Sequence, residues 1–190
     1  MLKKVYLSDI KIFMSDNILV KYTMTYGLYL GVAFSVVILI LKLSGSIHYP
    51  GDTGGMINTM LLTMGMLILG KKYRDNIHDG EFLYKNALGF TVLLTLFSAI
   101  IYTFFSYWYY SIMEPTAVNY YIEQMKLVYT QNGNFSEDQI NTLVEMYKTI
   151  LSPGMMAFIV FFSQALVGIL LGLIISIFIK SPIRLEQNKY

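Results

Sequence analysis

The chain has no cysteine and few charged residues, and both shortages restrict what it can be. The absence of Cys from its 190 residues excludes disulfides, thiolate metal sites and a cysteine nucleophile. Charged residues make up only 14% of the chain, whereas hydrophobic residues make up 55%. A soluble domain carries about 25% charged residues, so much of this surface is not expected to face water. A net charge of +2 is too small to favour nucleic acid as a partner.

Long apolar segments, by contrast, are abundant. Four of them cover about 22–43, 55–71, 86–110 and 153–179, with charged residues only at their ends. Some 20 residues of helix reach about 30 Å, the thickness of a hydrocarbon core. The second segment is the shortest and needs bilayer thinning or snorkelling of its terminal lysines. We therefore predict an all-α integral membrane protein, a four-transmembrane-helix bundle that forms a single membrane domain over residues 1–190.

Two other interpretations of these segments stay open. Any one of them would also suit a buried helix of a soluble core, although four such segments in a chain with so few charges argue against it. The first segment could instead be a cleaved signal peptide, with Ser44-Gly45-Ser46 as the cleavage site. Its apolar stretch is longer than the usual 7–15 residues or so and begins only after residue 21, which disfavours cleavage.

The basic residues predict the orientation of the chain. If alternate connections lie on opposite sides, one side holds 11 of the 14 basic residues, namely Lys3, Lys4, Lys11, Lys21, Lys71, Lys72, Arg74, Lys85, Lys180, Arg184 and Lys189. The 12 acidic residues divide equally between the sides. An asymmetry of Lys and Arg of this kind marks the cytoplasmic side. We expect both termini in the cytoplasm and residues 111–152 outside it.

Residues 111–152 predict a two-helix extracytoplasmic excursion between spans three and four. Apolar residues recur there at helical spacing from Glu114 onward, and residues 131–134 form a turn. Ser136 and Gln139 make a capping box at the start of the second helix. The two helices either lie on the membrane and cover the bundle or form a docking surface for an envelope partner, and the first interpretation is the simpler.

Small residues recur every four positions in spans one and four. The rows are Gly27, Gly31 and Ser35 in span one and Gly168, Gly172 and Ser176 in span four. Rows of this kind let membrane helices approach closely, and the depths of the two rows match in antiparallel spans, so we expect them to pack against each other. Alternatively, one row makes a homo-oligomer, or the glycines reflect only the frequency of glycine in such helices.

Few residues point to chemistry. No charged residue lies inside a span, away from its ends, which argues against an ion-coupled transporter or an intramembrane enzyme. Asn58 and Gln164 are the main polar residues there, and an interhelical hydrogen bond is the expected role of Gln164 rather than ligand binding. No catalytic residue, metal site or cofactor motif is predicted.

The densest polar cluster follows span two. It is a candidate contact for a cytoplasmic partner or for anionic headgroups and consists of Lys71, Lys72, Arg74, Asp75, His78 and Asp79. Asp75, His78 and Asp79 would also make an acid/base or metal set if they converged on one helix face. Polar residues of a loop are usually just solvated, which is the simpler interpretation.

These residues also carry a resemblance to a known family. The matching features are Tyr26-Gly27 with Gly31, then Lys72-Tyr73-Arg74-Asp75 followed by Gly80 and Phe82, and the row from Gly168 through Ser176. With them the chain resembles, over roughly residues 20 to 181, the uncharacterised bacterial membrane family catalogued as domain of unknown function 4199. The resemblance implies four helices and a bacterial inner membrane, and it implies no activity.

The expected function follows from this placement. We expect a non-enzymatic inner-membrane protein, an anchoring or accessory subunit in envelope biogenesis, with the lipid bilayer and another membrane or envelope protein as partners. The alternative is a small transporter or lipid-handling protein that acts as an oligomer. A polar cavity around Asn58 and Gln164 would favour that alternative.

Overall fold

The computed structural model describes residues 2–45, 52–77, 82–132 and 135–181. Over these ranges the chain is helical and forms no strand, which confirms the all-α class. Its six α-helices are α1 (Leu2–Leu43), α2 (Asp52–Ile77), α3 (Tyr84–Trp108), α4 (Ala117–Asn132), α5 (Glu137–Ile150) and α6 (Pro153–Ile179). The two helices predicted between the third and fourth apolar segments are therefore present as α4 and α5.

In the described part of the chain, three helical segments are long and apolar enough to cross a membrane. They are Asn17–Leu43, Tyr84–Met113 and Pro153–Ile179, of 27, 30 and 27 residues. Most of their apolar surface faces outward, and in α6 only 17% of the most apolar stretch is buried. An apolar exterior on this scale suits lipid rather than water, so these helices suggest a membrane protein. Helix α2, the fourth predicted span, is not among the three found in the described residues.

Helix α3 is the element against which α1 and α6 both pack, and α2 contacts α6 and α1. Helices α1 and α3 run parallel, since Gly27 lies against Phe97 and Gly31 lies one turn further along, against Ile101. Helix α6 runs antiparallel to α3, since Gly168 lies against Thr95 and Gly172 against Thr91.

Both rows of small residues are sites of close approach, but each row packs on α3. A Cβ added at Gly31 would lie 2.7 Å from the Ser98 carbonyl oxygen, and one added at Gly172 would lie 2.6 Å from Thr91 Oγ1. The expectation that the rows of α1 and α6 pack against each other is therefore wrong. The matching depths placed the two rows at the same level of the fold, but they did not indicate which helix each row contacts.

Small side chains with hydroxyl groups on α3 allow both α1 and α6 to pack closely against it. Thr91, Thr95 and Ser98 are fully buried, and their short side chains leave room for the glycine rows. Each hydroxyl returns a hydrogen bond to its own helix, as from Thr95 to the Thr91 carbonyl and from Ser98 to the Thr95 carbonyl, both at 2.8 Å. Internal pairing of this kind lets a polar group lie in an apolar interior at little cost.

A π-helical turn, Tyr109–Met113, ends α3 and leads to α4. At the end of this turn Glu114 forms an ion pair with Lys42 at the end of α1, which ties the α4–α5 pair to the long helices. The predicted capping box is confirmed: Ser136 N donates to Gln139 Oε1 at 2.9 Å, and Gln139 N donates to Ser136 Oγ at 3.3 Å.

Helices α4 and α5 pack against each other. Between the two helices, the hydroxyls of Tyr129 and Tyr147 lie 3.2 Å apart. This hydrogen bond raises the pKa of the Tyr147 phenol above its ordinary value, because the protonated form is held by Tyr129.

Candidate functional site

The two ends of the four long helices differ, and we name them by their residues. The basic end carries Lys71, Lys72, Arg74 and Lys180, and the excursion end carries α4 and α5. The first is closed by side chains, whereas the second contains a cavity.

The cavity lies between α2 and α6 toward the excursion end and has a volume of about 270 Å³. All four long helices and the π-helical turn contribute to its wall. The lining residues are Ile38, Gly55, Thr59, Tyr102, Tyr110, Ile159, Val160, Ser163, Gln164 and Val167. The described wall is mainly apolar, with the hydroxyls of two small residues, two phenols and one amide, and no charged side chain is among these lining residues.

Small residues on α2 and α6 explain why the space is there. Gly55 has no atom within 4 Å of the position that a Cβ would take, and Thr59 and Ser163 supply only short side chains. Toward the basic end the same two helices meet, since a Cβ at Gly70 would lie 2.8 Å from Ile179 Cδ1. Helices α2 and α6 therefore contact each other at one end and leave a gap at the other.

Two amide side chains, Gln164 in the wall of this gap and Asn58 next to the lining residue Thr59, have buried atoms without a hydrogen-bond partner among the described residues. The buried Nε2 of Gln164 meets no partner among the described residues. Asn58 is only 2% exposed, and neither its Oδ1 nor its Nδ2 has a partner in hydrogen-bonding geometry, although Tyr102 lies close enough to interact with it. An unsatisfied buried polar group costs about 1–3 kcal/mol, and such groups are rare in native structures.

The interhelical hydrogen bond predicted for Gln164 is therefore not made within the described part of the chain. Sequence reasoning singled out Asn58 and Gln164 but missed Thr59, Tyr102 and Ser163. Two of these were visible as polar neighbours, because Asn58-Thr59 and Ser163-Gln164 are adjacent polar pairs in otherwise apolar segments. The contribution of Tyr102 depends on how α3 packs, which no local pattern records.

At the basic end, aromatic rings fill the space between the helices. Tyr73 and Phe82 are fully buried, with ring centroids 5.7 Å apart. Tyr73 also contacts Phe90 at 5.3 Å and Tyr22 at 5.0 Å. Rings at these separations pack favourably, and they join α1, α2 and α3 with the segment before α3.

Arg74 closes the end of α6. Its Nη1 donates to the Ile179 carbonyl oxygen at 3.2 Å, one of the carbonyls that the last turn of a helix leaves unpaired, and its positive charge suits the negative end of the helix dipole. Its Nε donates to Asp75 Oδ1 at 2.7 Å, and this hydrogen bond lowers the pKa of the Asp75 carboxyl. Phe82 and Ser181 complete the closure by hydrogen bonding to each other.

The polar cluster predicted after span two is thus divided. Arg74 is half-buried and bonded to α6, whereas Lys71, Lys72 and Asp75 are exposed. His78 and Asp79 lie outside the described residues, so their proposed convergence with Asp75 stays a prediction. Within the described ranges, no group of three or more His, Cys, Asp or Glu residues is placed to hold a metal ion.

Comparison with protein families gives one match. The model of the family described as protein of unknown function (DUF4199) matches residues 25–181, which confirms the resemblance predicted from the sequence. The matched range includes the cavity and the closure at the basic end. No curated protein and no solved structure matches the chain.

Proposed function

The chain belongs to the family described as protein of unknown function (DUF4199), and on that premise we propose that it is a multi-pass protein of the bacterial inner membrane with α2 as its fourth span. Support comes from the position of α2 beside α1, where Gly54 lies against Ile38 and Gly65 against Leu30. The outward face of α2 is an apolar row that is 57–66% exposed, Met56, Met60, Met64 and Ile68. A helix at the same level as three membrane-length helices presents such a row to the same lipid, so the four form a membrane-embedded bundle.

Both termini are cytoplasmic in this proposal. The basic end collects exposed Lys21, Lys71, Lys72 and Lys85, and basic residues beside span ends stay in the cytoplasm. A phosphatase reporter that works only outside the cytoplasm tests this orientation. It should be inactive after Tyr190 and active when inserted at Asn141; the opposite pattern would overturn the orientation.

In this membrane the protein acts as a non-enzymatic anchoring or accessory subunit of an envelope assembly. The supporting observation is the α4–α5 pair, which lies beyond the proposed spans yet exposes apolar side chains, Leu127, Val128, Phe135 and Met146. Apolar side chains in such a position favour contact with a protein partner or the membrane surface.

Purification from native membranes in mild detergent, followed by mass spectrometry, tests the accessory role. The full chain should recover a stoichiometric envelope protein, and changing Leu127 and Val128 to serine should release it. Changing exposed Asn141 and Thr142 to alanine on the same pair is the matched control. Recovery of the chain alone would contradict the role.

The cavity supports a second candidate, a small transporter or lipid-handling protein that acts as an oligomer. The unpaired Nε2 of Gln164 lies at depth in the proposed bundle and lines the cavity, where a bound molecule would satisfy it. Transbilayer movement of a fluorescent lipid in vesicles tests it: movement faster than in protein-free vesicles supports the candidate, and equal rates contradict it.

A further inference from the structure

We propose that the cavity between α2 and α6 binds the head of a neutral lipid, meaning an uncharged group with oxygen acceptors on an apolar tail. This inference rests on the proposed membrane placement and names the ligand class for the second candidate function. It does not require that the protein moves the lipid.

The polar groups of the cavity select an uncharged ligand. Among the described residues that line the wall there is no Lys, Arg, His, Asp or Glu, so none of them offers a counter-ion to a phosphate or an amine, and burial of an unpaired charge is strongly unfavourable. The unpaired Nε2 of Gln164 can only donate a hydrogen bond. Its complement is a carbonyl, ester or hydroxyl oxygen.

The size of the cavity selects a head rather than a whole lipid. A volume of about 270 Å³ is many times the roughly 10–15 Å³ that one water molecule needs and lies just below the range of about 300–1,000 Å³ found for small-molecule sites. That matches the glycerol-ester head of a diacylglycerol or the ring of a quinone. The tail must then leave the cavity, and two lining residues mark an exit, because Ile159 and Val167 are 44% and 38% exposed on the outward surface of α6.

The depth of the cavity agrees with a neutral head. Gln164 lies about three helical turns from Pro153, roughly 16 Å along α6, and therefore well below the excursion end of the helix. Charged headgroups stay at the membrane interface, because their transfer into hydrocarbon is costly. An uncharged head reaches this depth at much lower cost and gains a hydrogen bond from Gln164.

Photo-crosslinking of the full-length protein in vesicles of phosphatidylethanolamine and phosphatidylglycerol tests the proposal. Three probes carrying the same diazirine are used in separate arms: a diacylglycerol, an isoprenoid quinone and a phosphatidylglycerol. One of the two neutral probes should label Thr59, Tyr102 and Gln164, which line the cavity and are not exposed on the outer surface, and the arm that does so identifies the source of the head. The phosphatidylglycerol probe should label only outward-facing residues.

Two variants and a matched control make the test specific. Ser163→Phe fills the cavity and should reduce labelling there at least roughly tenfold, a fall that corresponds to about 1.4 kcal/mol. Gln164→Leu keeps the shape but removes the donor and should reduce it roughly fivefold, as expected for one hydrogen bond of about 1 kcal/mol. Leu166→Phe, at a position of α6 that is 61% exposed, should leave labelling unchanged.

Three outcomes would overturn the proposal. These are no labelling of the cavity by either neutral probe, equal labelling by the phosphatidylglycerol probe, and labelling that neither Ser163→Phe nor Gln164→Leu reduces. The first means a cavity filled by water. Thermal melting of both variants shows that they fold, and Gln164→Leu decides if Ser163→Phe does not. Selective labelling without transbilayer movement would keep the site and remove the lipid-moving function.

Discussion

The basic end and the excursion end of the long helices are both rich in apolar residues, but they differ in whether their buried polar groups have hydrogen-bond partners. At the basic end, Arg74 binds the last carbonyl of α6 and Ser181 binds the backbone of Phe82, while Tyr73 fills the centre. At the excursion end, the amide of Asn58 and the Nε2 of Gln164 are buried without a hydrogen-bond partner in the described part of the chain. The contrast separates buried polar groups that stabilise the fold, because the fold supplies their partners, from those whose partner, as we propose, is a bound ligand.

The largest effect on folding is expected where α1 and α6 approach α3 closely. Gly31→Leu and Gly172→Leu should each abolish most of the folded yield, because the new side chain meets the Ser98 carbonyl or Thr91 at under 3 Å. Overpacking costs about 1–3 kcal/mol or more. Monodisperse yield in detergent and thermal melting are the measurements.

Gly89→Leu is the matched control, since this α3 glycine has open space within 4 Å. It should fold at nearly the wild-type yield. Equal yields for all three variants would remove the close-packing role of the two rows.

Closure of the basic end is tested by Arg74→Met. Loss of the hydrogen bond to Ile179 and of the favourable charge at the end of α6 should lower the free energy of unfolding by about 1–2 kcal/mol, measured by thermal melting in detergent. Lys72→Met removes an equal charge from an exposed neighbour and should change it by less than about 0.5 kcal/mol. A loss of the same size in both variants would show that only charge matters there.

At the excursion end, the unpaired amide of Gln164 is tested by replacing it with an apolar side chain. Gln164→Leu should raise the melting temperature of lipid-free protein, by the equivalent of about 1 kcal/mol, because a buried donor without a partner no longer has to be desolvated. Gln124→Leu on exposed α4 is the control and should be neutral. A loss of stability in Gln164→Leu would mean that the amide already has a partner.

The ion pair that ties the α4–α5 pair to α1 has a smaller expected effect. Glu114→Gln should lower stability by about 0.5–1 kcal/mol and speed proteolytic cleavage of the α4–α5 pair. Glu145→Gln, which disrupts the exposed pair with Lys148, should do neither. Identical cleavage rates in the two variants would contradict the tether.

The smallest effect concerns Asp75. Its hydrogen bond to Arg74 lowers its pKa below the ordinary 3.8, so its contribution is present above that pH and is lost as the pH falls through the lower folded value. The melting temperature of wild type should therefore exceed that of Asp75→Asn slightly at pH 7, and the difference should vanish in acid. A difference that persists below pH 3 or so would rule out the carboxylate as its cause.

The sequence predicted what depends on local pattern. Helices followed from apolar length, and Ser136 and Gln139 located the start of α5. The packing partner of each helix could not be predicted, because Gly31 and Gly172 indicate close approach but not the helix that is approached. The small hydroxyl residues of α3, Thr91, Thr95 and Ser98, make α3 that helix. The cavity could not be predicted for the same reason. Asn58 and Gln164 are recognisable in the sequence as polar residues of apolar segments, but whether a neighbour forms a hydrogen bond with them depends on the separation of α2 and α6.

Placement in the membrane is tested most directly by single cysteines, since the chain has none of its own. Ser44→Cys, Lys72→Cys and Asn141→Cys, at exposed positions that bracket α2 and sample the α4–α5 pair, are treated with a membrane-impermeant maleimide on spheroplasts before and after permeabilisation. Cys at 44 and 141 should react before permeabilisation and Cys at 72 only afterwards. Reaction at both 44 and 72 on intact spheroplasts would show that α2 does not cross, and it would remove the four-span architecture on which the cavity site depends.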